Sequence, residues 1–356
     1  MPDLPPASRH PRTPVPSPSP APHRPRVLLA MRPDLRPLLL DPARTARLTG
    51  LADLDPALVA DDFAAPGVAA ELARADVLFT FWGCPPLTPE VLAGAPRLRA
   101  VVHAAGSVRG FVTDACWERG IALSSAADAN ALPVAEYALA MILLANKRAL
   151  AARDRYRAVR GQVSWQHEYR EAGNFRRAVG IVGASRTGRR VIALLAPHDM
   201  ELLVHDPYLS AEDARALGVE PVGLDELCER CDVVSLHAPA LPETRHLIDE
   251  RRLGLMPDGA TLVNTARGAL VDTGALTREL TGGRLNAVLD VTEPEILPPG
   301  SPLYDLDNVV LTPHIAGSLG GELHRMADSA LDELERLARG RPFAHPVVRE
   351  RFAHSA

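Results

Sequence analysis

Lysine is almost absent from this 356-residue chain: Lys147 is the single one, and every other basic residue is arginine. That scarcity excludes chemistry that runs through an amine. A P-loop needs a lysine on its phosphates and a pyridoxal enzyme needs one for its Schiff base; Lys147, in LLANKRAL behind an apolar run, has neither context. Blocks of five or more like charges are also missing. With a formal net charge of -5, nothing concentrates positive charge for nucleic acid or an anionic membrane, and a small-molecule partner fits better.

Cysteine is sparse too. The four are Cys84, Cys116, Cys228 and Cys231, and the last two form a lone CxxC in LCERCDVV. Zinc would need a second pair of ligands, and a thioredoxin-like site would need the motif at a strand-to-helix turn, whereas this one closes a predicted helix and enters an apolar strand. The cysteines are therefore expected to be small buried hydrophobes, and no metal is expected. Long hydrophobic runs are lacking: Ala131 to Ala145, the most apolar stretch, is interrupted by Glu136 and falls short of the ~18 to 20 residues a bilayer requires. No signal-peptide h-region is present, so a soluble, cytoplasmic protein without a membrane partner is expected. Residues 1–25 hold ten prolines and little apolar surface, which predicts a disordered tail.

What is present is a repeated strand-helix alternation. RVLLAM, DVLFTF (76–81), LRAVVH (98–103) and IALSS (from 121) are continuous apolar runs, as suits parallel strands buried on both faces. A long helix is predicted next, with Asp128 or Asn130 as N-cap and Pro133 in its first turn. A second series follows: AVGIVG, ELLVHD, CDVVSLH, TLVN, NAVLD and NVVLT. Six strands with intervening helices are what a doubly wound dinucleotide fold requires, so the fold class is α/β with parallel sheets. An amphipathic helix from about 320 to 339 comes after that series closes and is free to return to the first domain.

The strand AVGIV runs into Gly183-Ala184-Ser185-Arg186-Thr187-Gly188 and then a helix, the context in which a GxGxxG-like motif has meaning. Gly183 can make the tight turn and Gly188 can let helix and strand pack closely, while the helix N-terminus offers free N–H groups to a pyrophosphate. Ser185 stands where the second glycine is usual; either the loop sits slightly back or the hydroxyl donates to an oxygen. Asp206 ends the next strand at the spacing of a carboxylate that accepts from adenosine ribose hydroxyls, which favours NAD over NADP. The alternative is a turn residue before Pro207.

NTARGALVD (264–272), AVLDVTEPE (287–295) and LTPHIAGS (311–318) each lie at or beyond the C-terminal end of a predicted strand, the edge where ligands bind in such sheets. With the glycine motif, they make residues 26–341 resemble the D-isomer-specific 2-hydroxyacid dehydrogenases. The resemblance implies a Rossmann NAD-binding domain (129–317) inserted into a flavodoxin-like substrate domain (26–128 plus 318–345), an active-site cleft between them, and a C-terminal tail (346–356). It places the catalytic arginine on Arg267, the carboxylate on Glu295 and the acid/base histidine on His314. These residue types suit the chemistry. An arginine presents a permanent planar donor fork to a carboxylate and a carbonyl. A ketone being reduced needs a proton donor near the working pH, and histidine begins near ~6.5. A neighbouring carboxylate favours the imidazolium and orients the ring. Glu293 is the other candidate; ungapped spacing from Asp290 lands on Glu295.

The same resemblance puts Asp290 near the nicotinamide carboxamide, and His237, Ala238, Pro239, Thr244, Thr265 and Ala266 along the cofactor. It makes Gly106, Ser107 and Val108 in HAAGSVRGF a backbone nest for the substrate carboxylate, with Gly83 as a second backbone approach. Arg109 would bind a second anionic group or be solvated. Residues 148–177 resemble the family's dimer arm, so a homodimer is implied. The expected activity is reversible hydride transfer between NAD(H) and C2 of a small D-2-hydroxy acid. Two rivals are weighed: a formate dehydrogenase-like enzyme, which the carboxylate at 295 opposes, and a dinucleotide-sensing regulatory protein on the same fold.

Overall fold

A computed structural model describes residues 24–352. The first strands are β1 (Val27–Ala30), β2 (Val59–Ala60), β3 (Val77–Thr80), β4 (Ala100–His103) and β5 (Ala122–Ser125); the second series is β6 (Ala178–Val182), β7 (Glu201–His205), β8 (Glu220–Pro221), β9 (Val233–Leu236), β10 (Thr261–Asn264), β11 (Asn286–Leu289) and β12 (Val309–Leu311), and β13 (Pro346–Val347) is the last strand described. They build two sheets, ordered β13-β5-β4-β3-β1-β2 and β12-β11-β10-β9-β6-β7-β8. All neighbours are parallel except β13, which runs antiparallel to β5. Without β13, the first sheet has the flavodoxin-like order and the second begins with the Rossmann order. The expected α/β class with two doubly wound sheets is the one observed.

Both faces of each sheet are covered, which is why β1, β3, β4, β9 and β10 are buried at all four positions and why their sequences run apolar instead of alternating. Helix α1 (Pro42–Leu51) and the long helix α2 (Ala127–Asn146) belong to these layers, followed by α3 (Ala149–Val159), α4 (Arg186–Leu195) and α5 (Glu322–Ala338). Helix α5 lays Leu323, Met326, Leu331 and Leu334 against Leu29, Phe79 and Phe81 of the first sheet's core. At ~1.5–3 kcal/mol for each large apolar side chain, that face fixes α5 on the first sheet although its residues follow the second in sequence.

Three expectations need correction. Helix α2 has no side-chain N-cap: it starts at Ala127 behind Ala126, so Asp128 and Asn130 lie inside its first turn with their polar groups available elsewhere. It also runs 20 residues at a mean hydropathy of 1.3 in its most apolar window, long and apolar enough to cross a membrane by length and composition, because its first turn precedes the apolar stretch that begins at Ala131. Here its Ala135, Ala138 and Ile142 are buried with Val191, Ile192 and Leu195 of α4. Finally, the stretch from 346 is not all tail, because Pro346 and Val347 extend the first sheet beside β5. At the other end, residues 1–23 lie outside the described residues, but Arg24 and Pro25 are part of the fold. The Arg24 guanidinium donates to the carbonyls of Thr49 and Ala52 at the end of α1 (2.7 and 2.9 Å), carbonyls that a helix terminus leaves without partners.

Cys228 and Cys231 are free thiols in the core. Burial pushes both up to about 12, and a side chain added at Gly180 would meet Cys231 Sγ and Leu227. The pair packs against β6.

Candidate active site

The C-terminal ends of β10, β11 and β12 lie side by side because the strands pair in register, Asn264 with Leu289 and Leu289 with Leu311. Each then delivers one functional segment to the same edge. After β10, Asn264 clamps the turn that carries Arg267: its amide donates to the Arg267 carbonyl (2.9 Å) and its carbonyl accepts from Ala266 N–H (3.1 Å). A side chain at Gly268 would collide with the backbone of Thr292 and Glu293, so this turn packs directly on the segment after β11. Burial holds Arg267 below the usual arginine range; the Glu295 carboxylate opposes this and the like charge of Arg109 adds to it.

After β11 comes Asp290, only 2% exposed. Its carboxylate accepts from Thr312 Oγ1 (2.7 Å), Ile315 N–H (2.8 Å) and Ala316 N–H (2.9 Å), while its carbonyl accepts from His314 N–H (2.9 Å). Asp290, expected at the nicotinamide carboxamide, thus has its oxygens occupied by the loop that carries His314. Within that loop His314 adopts a left-handed backbone, φ 55°, which a side chain adopts only when its surroundings hold it there. Tyr137 of α2 lies 2.9 Å from Thr312 Oγ1 and braces the loop from the other side.

His314 Nδ1 lies 2.6 Å from Glu295 Oε1. Glu293 is turned away, with Arg245 donating to it at 2.8 Å and His246 Nε2 lying 3.5 Å off, and Arg245 keeps its carboxyl below the usual range. Of the two candidates, Glu295 is the histidine's partner in this structure. Both members of the His314–Glu295 pair are about half exposed, at 51% and 56%, so they face the open side of the edge.

The second sheet reverses its order at β6 and β9, and the glycine turn follows β6. Gly183 has φ +97°, and a Cβ there would lie 2.7 Å from Ala238 N; a Cβ on Gly188 would collide with the Gly183 carbonyl oxygen. Ser185 is the N-cap of α4, its Oγ accepting from Gly188 N–H at 3.3 Å, so the hydroxyl shapes the turn in place of the missing glycine. Arg186 and Thr187 then begin a helix whose first N–H groups have no partner within it. Asp206, at the end of β7, accepts from Ala184 N–H (2.7 Å) and Tyr208 N–H (2.8 Å); it ties the turn to the next strand as well as opening one.

The residues fit a dinucleotide: the two glycines let the turn pack tightly at the start of α4, where helix N–H groups face outward, and Thr265 Oγ1 at the end of β10 is buried without a hydrogen-bond partner. His237 and Ala238 contribute backbone beside Gly183. His237 does not present its ring. The ring is buried and bonded to Ser235 Oγ at 2.9 Å, and burial pushes it down to about 4. Thr244 Oγ1 is likewise used within its own turn, donating to Pro239 O at 2.7 Å. Ala266 spends its carbonyl on the Arg267 guanidinium (2.6 Å).

On the first sheet, the loop after β4 carries Gly106, Ser107 and Val108. Val108 is buried by its side chain, and a Cβ on Gly106 would meet Asn130 Nδ2 at 3.4 Å. Asn130 Oδ1 in turn accepts from Ser318 N–H at 3.0 Å, so one side chain of α2 joins this loop to the segment following His314. Gly83, after β3, has φ +82°, and its open face is covered by the side chain of Arg32, a contact between two loops that sequence reading missed. Arg109 donates to Phe352 O (2.7 Å) and lies over the Phe352 ring at 5.4 Å, so the last described residue meets the loop after β4.

Residues 139–316 match the family described as D-isomer specific 2-hydroxyacid dehydrogenase, NAD binding domain. The chain is 37% identical to a D-3-phosphoglycerate dehydrogenase of Mycobacterium tuberculosis over 263 residues, which cover 73% of this chain and 48% of that one. It spans about half the length of such relatives. It is also 37% identical to a glyoxylate reductase of Korarchaeum cryptofilum, over 72% of this chain and 77% of that one. Among solved structures it is similar to a D-lactate dehydrogenase of Aquifex aeolicus complexed with NAD and lactic acid, with TM-score 0.69, 29% identity, and coverage of 88% and 95%.

Proposed function

The chain belongs to the D-isomer specific 2-hydroxyacid dehydrogenases, and from that premise we propose that it interconverts a small D-2-hydroxy acid and its 2-oxo acid, with NAD(H) as cofactor, His314 as acid/base, Glu295 as its partner and Arg267 as the substrate anchor. The observation that carries this reading is the 2.6 Å contact of His314 Nδ1 with Glu295, beside an arginine that feels the same carboxylate.

When bound, NAD(H) supplies or accepts the hydride at C2. The rest falls to the chain. Arg267, largely desolvated, holds the substrate carboxylate and polarises the C2 oxygen more strongly than a solvated arginine would. Glu295 takes Nδ1–H, which leaves Nε2 for the substrate. In reduction, Nε2–H gives its proton to the oxygen at C2 as negative charge develops there; in oxidation, neutral Nε2 takes it back. Gly106, Ser107 and Val108 hold the carboxylate from the first sheet, with the Gly83 backbone opposite. Gly183, Ser185, Arg186, Thr187 and Gly188 would hold the cofactor's pyrophosphate at the start of α4, Asp206 would accept from its adenosine ribose, and Thr265 and Asp290 would serve its nicotinamide.

We read 26–128 plus 318–347 as the substrate domain and 129–317 as the NAD domain. A homodimer through the 148–177 arm is supported by α3, which buries none of its residues, and by exposed Tyr156 and Phe175. Four free thiols support a reducing compartment such as the cytoplasm.

The test is NADH absorbance with glyoxylate, hydroxypyruvate, pyruvate and phenylpyruvate, with NADPH as control. Oxidation of NADH with one of these acids is expected. Tight NADH binding without turnover on any 2-oxo acid overturns the enzymatic reading in favour of dinucleotide sensing.

A further inference from the structure

Asp128 stands at the join of three segments that the proposed reaction leaves unexplained. Having no capping role, its carboxylate divides between two partners: Oδ1 lies 3.3 Å from Nε of Arg186, and Oδ2 lies 3.0 Å from Nδ1 of His345. Its carbonyl accepts from Arg190 at 3.4 Å. Arg186 and Arg190 belong to α4, at the glycine turn. His345 belongs to the strap that leads into β13.

The strap is firmly held. Glu333 of α5 is 2% exposed, and its carboxylate accepts from Ala344 N–H (3.1 and 2.9 Å) and His345 N–H (3.1 Å). Pro346 then pairs with Ser124. Asp128 is therefore anchored on one side by a fixed histidine, while on the other it holds an arginine whose side chain is 52% exposed. That arginine opens the helix to which the reading above, on which this inference rests, assigns the pyrophosphate.

Asp128 is held through Nε alone, and a guanidinium that turns its fork to a pyrophosphate draws Nε away from Asp128. We propose that Asp128 is a positioning residue that competes with the cofactor's pyrophosphate for Arg186, so that dinucleotide binding draws Arg186 from Asp128 and loosens the tie between the glycine turn and the C-terminal strap. The pyrophosphate, with two charges and the helix N-terminus behind it, wins the exchange. Asp128 lowers the affinity by what its own contact is worth, a modest amount for a half-exposed ion pair.

The experiment is a double-mutant cycle on the full chain, reading the NADH dissociation constant by fluorescence at low ionic strength for wild type, Asp128→Asn, Arg186→Gln and the double variant. Asp128→Asn is expected to tighten NADH by about two- to fivefold, as an exposed pair allows. The gain should vanish in the Arg186→Gln background and shrink in ~0.5 M salt. If Asp128→Asn lowers the melting temperature, Asp128→Ser takes its place in the same cycle. Unchanged or weaker binding in a folded Asp128 variant, or an equal gain without Arg186, overturns the proposal while leaving the cofactor assignment standing. Wild type that binds neither NADH nor NADPH overturns the cofactor assignment, and the proposal with it.

Discussion

The carboxylate of Glu295 meets the imidazole of His314 at 2.6 Å, whereas Glu293, two residues earlier, is spent on Arg245 at 2.8 Å. Two acidic residues of one short turn are thereby given different tasks, and the difference is measurable. His314→Ala should lower kcat by at least ~100-fold, as loss of a general acid does. Glu295→Gln should lower it by about 10- to 100-fold, because a neutral amide oxygen accepts from Nδ1–H more weakly than a carboxylate and holds the ring less well. Glu293→Gln should stay within about twofold. Equal losses from the two glutamine variants, in steady-state kinetics with the best 2-oxo acid, would refute the assignment.

Asp290 sets the loop that carries His314. Asp290→Asn keeps the shape but offers an NH2 to groups that themselves donate, so a cost of about 2–3 kcal/mol is expected in urea unfolding. The kcat should fall at least ~10-fold as the histidine drifts from its place. A variant with wild-type stability and rate would show that the loop holds itself.

Two buried histidines predict the acid limb of stability. Burial pushes His103 down to about 3, opposed only by a backbone contact to Ser107, and His237 to about 4. Both lie below the ~6.5 of the unfolded chain, so between these values the unfolded chain binds more protons than the folded one. Stability is then fully present above pH ~6.5 and is lost as pH falls toward the folded values. By pH 5 each histidine should have removed about 2 kcal/mol. His103→Asn, which can still meet Thr80 (2.8 Å from Nδ1 in the native protein), should make that limb visibly shallower. An unaltered slope in urea titrations at pH 7.5 and 5 would count against it.

The glycine turn offers a local test. Gly188→Ala drives a methyl into the Gly183 carbonyl and should weaken NADH binding at least ~10-fold, since the turn must open to accommodate it. Gly223→Ala, with nothing within 4 Å of the added carbon, should leave the dissociation constant unchanged. Equal behaviour of the two variants in fluorescence titration would mean that the turn tolerates what its geometry forbids.

Much of this was legible in the amino-acid sequence, for identifiable reasons. The five strands buried at every position announce themselves because burial on both faces demands unbroken apolar runs; Arg267 and His314 follow from the family resemblance of their segments, and Asp206 from its place at a strand end. The two-residue strands β2, β8 and β13 were not found, since a pair of residues has no periodicity to read. Nor was the placement of Arg32 over Gly83, whereas ungapped spacing from Asp290 does point to Glu295, the residue that meets His314 in the structure. Asp128 was read as a local cap because capping is the interaction visible within a few residues; its actual partners, Arg186 and His345, come from the second sheet's turn and the end of the chain.

The return of α5 and β13 to the first sheet has a consequence for synthesis. A ribosome emits β1 to β5 first, yet the apolar surface around Leu29, Phe79 and Phe81 meets Leu323, Met326, Leu331 and Leu334 only after the whole second sheet has emerged. At ~5–20 residues per second, the inserted domain is complete while its host still waits with one face uncovered, so in a growing chain the half made first is the half that finishes last.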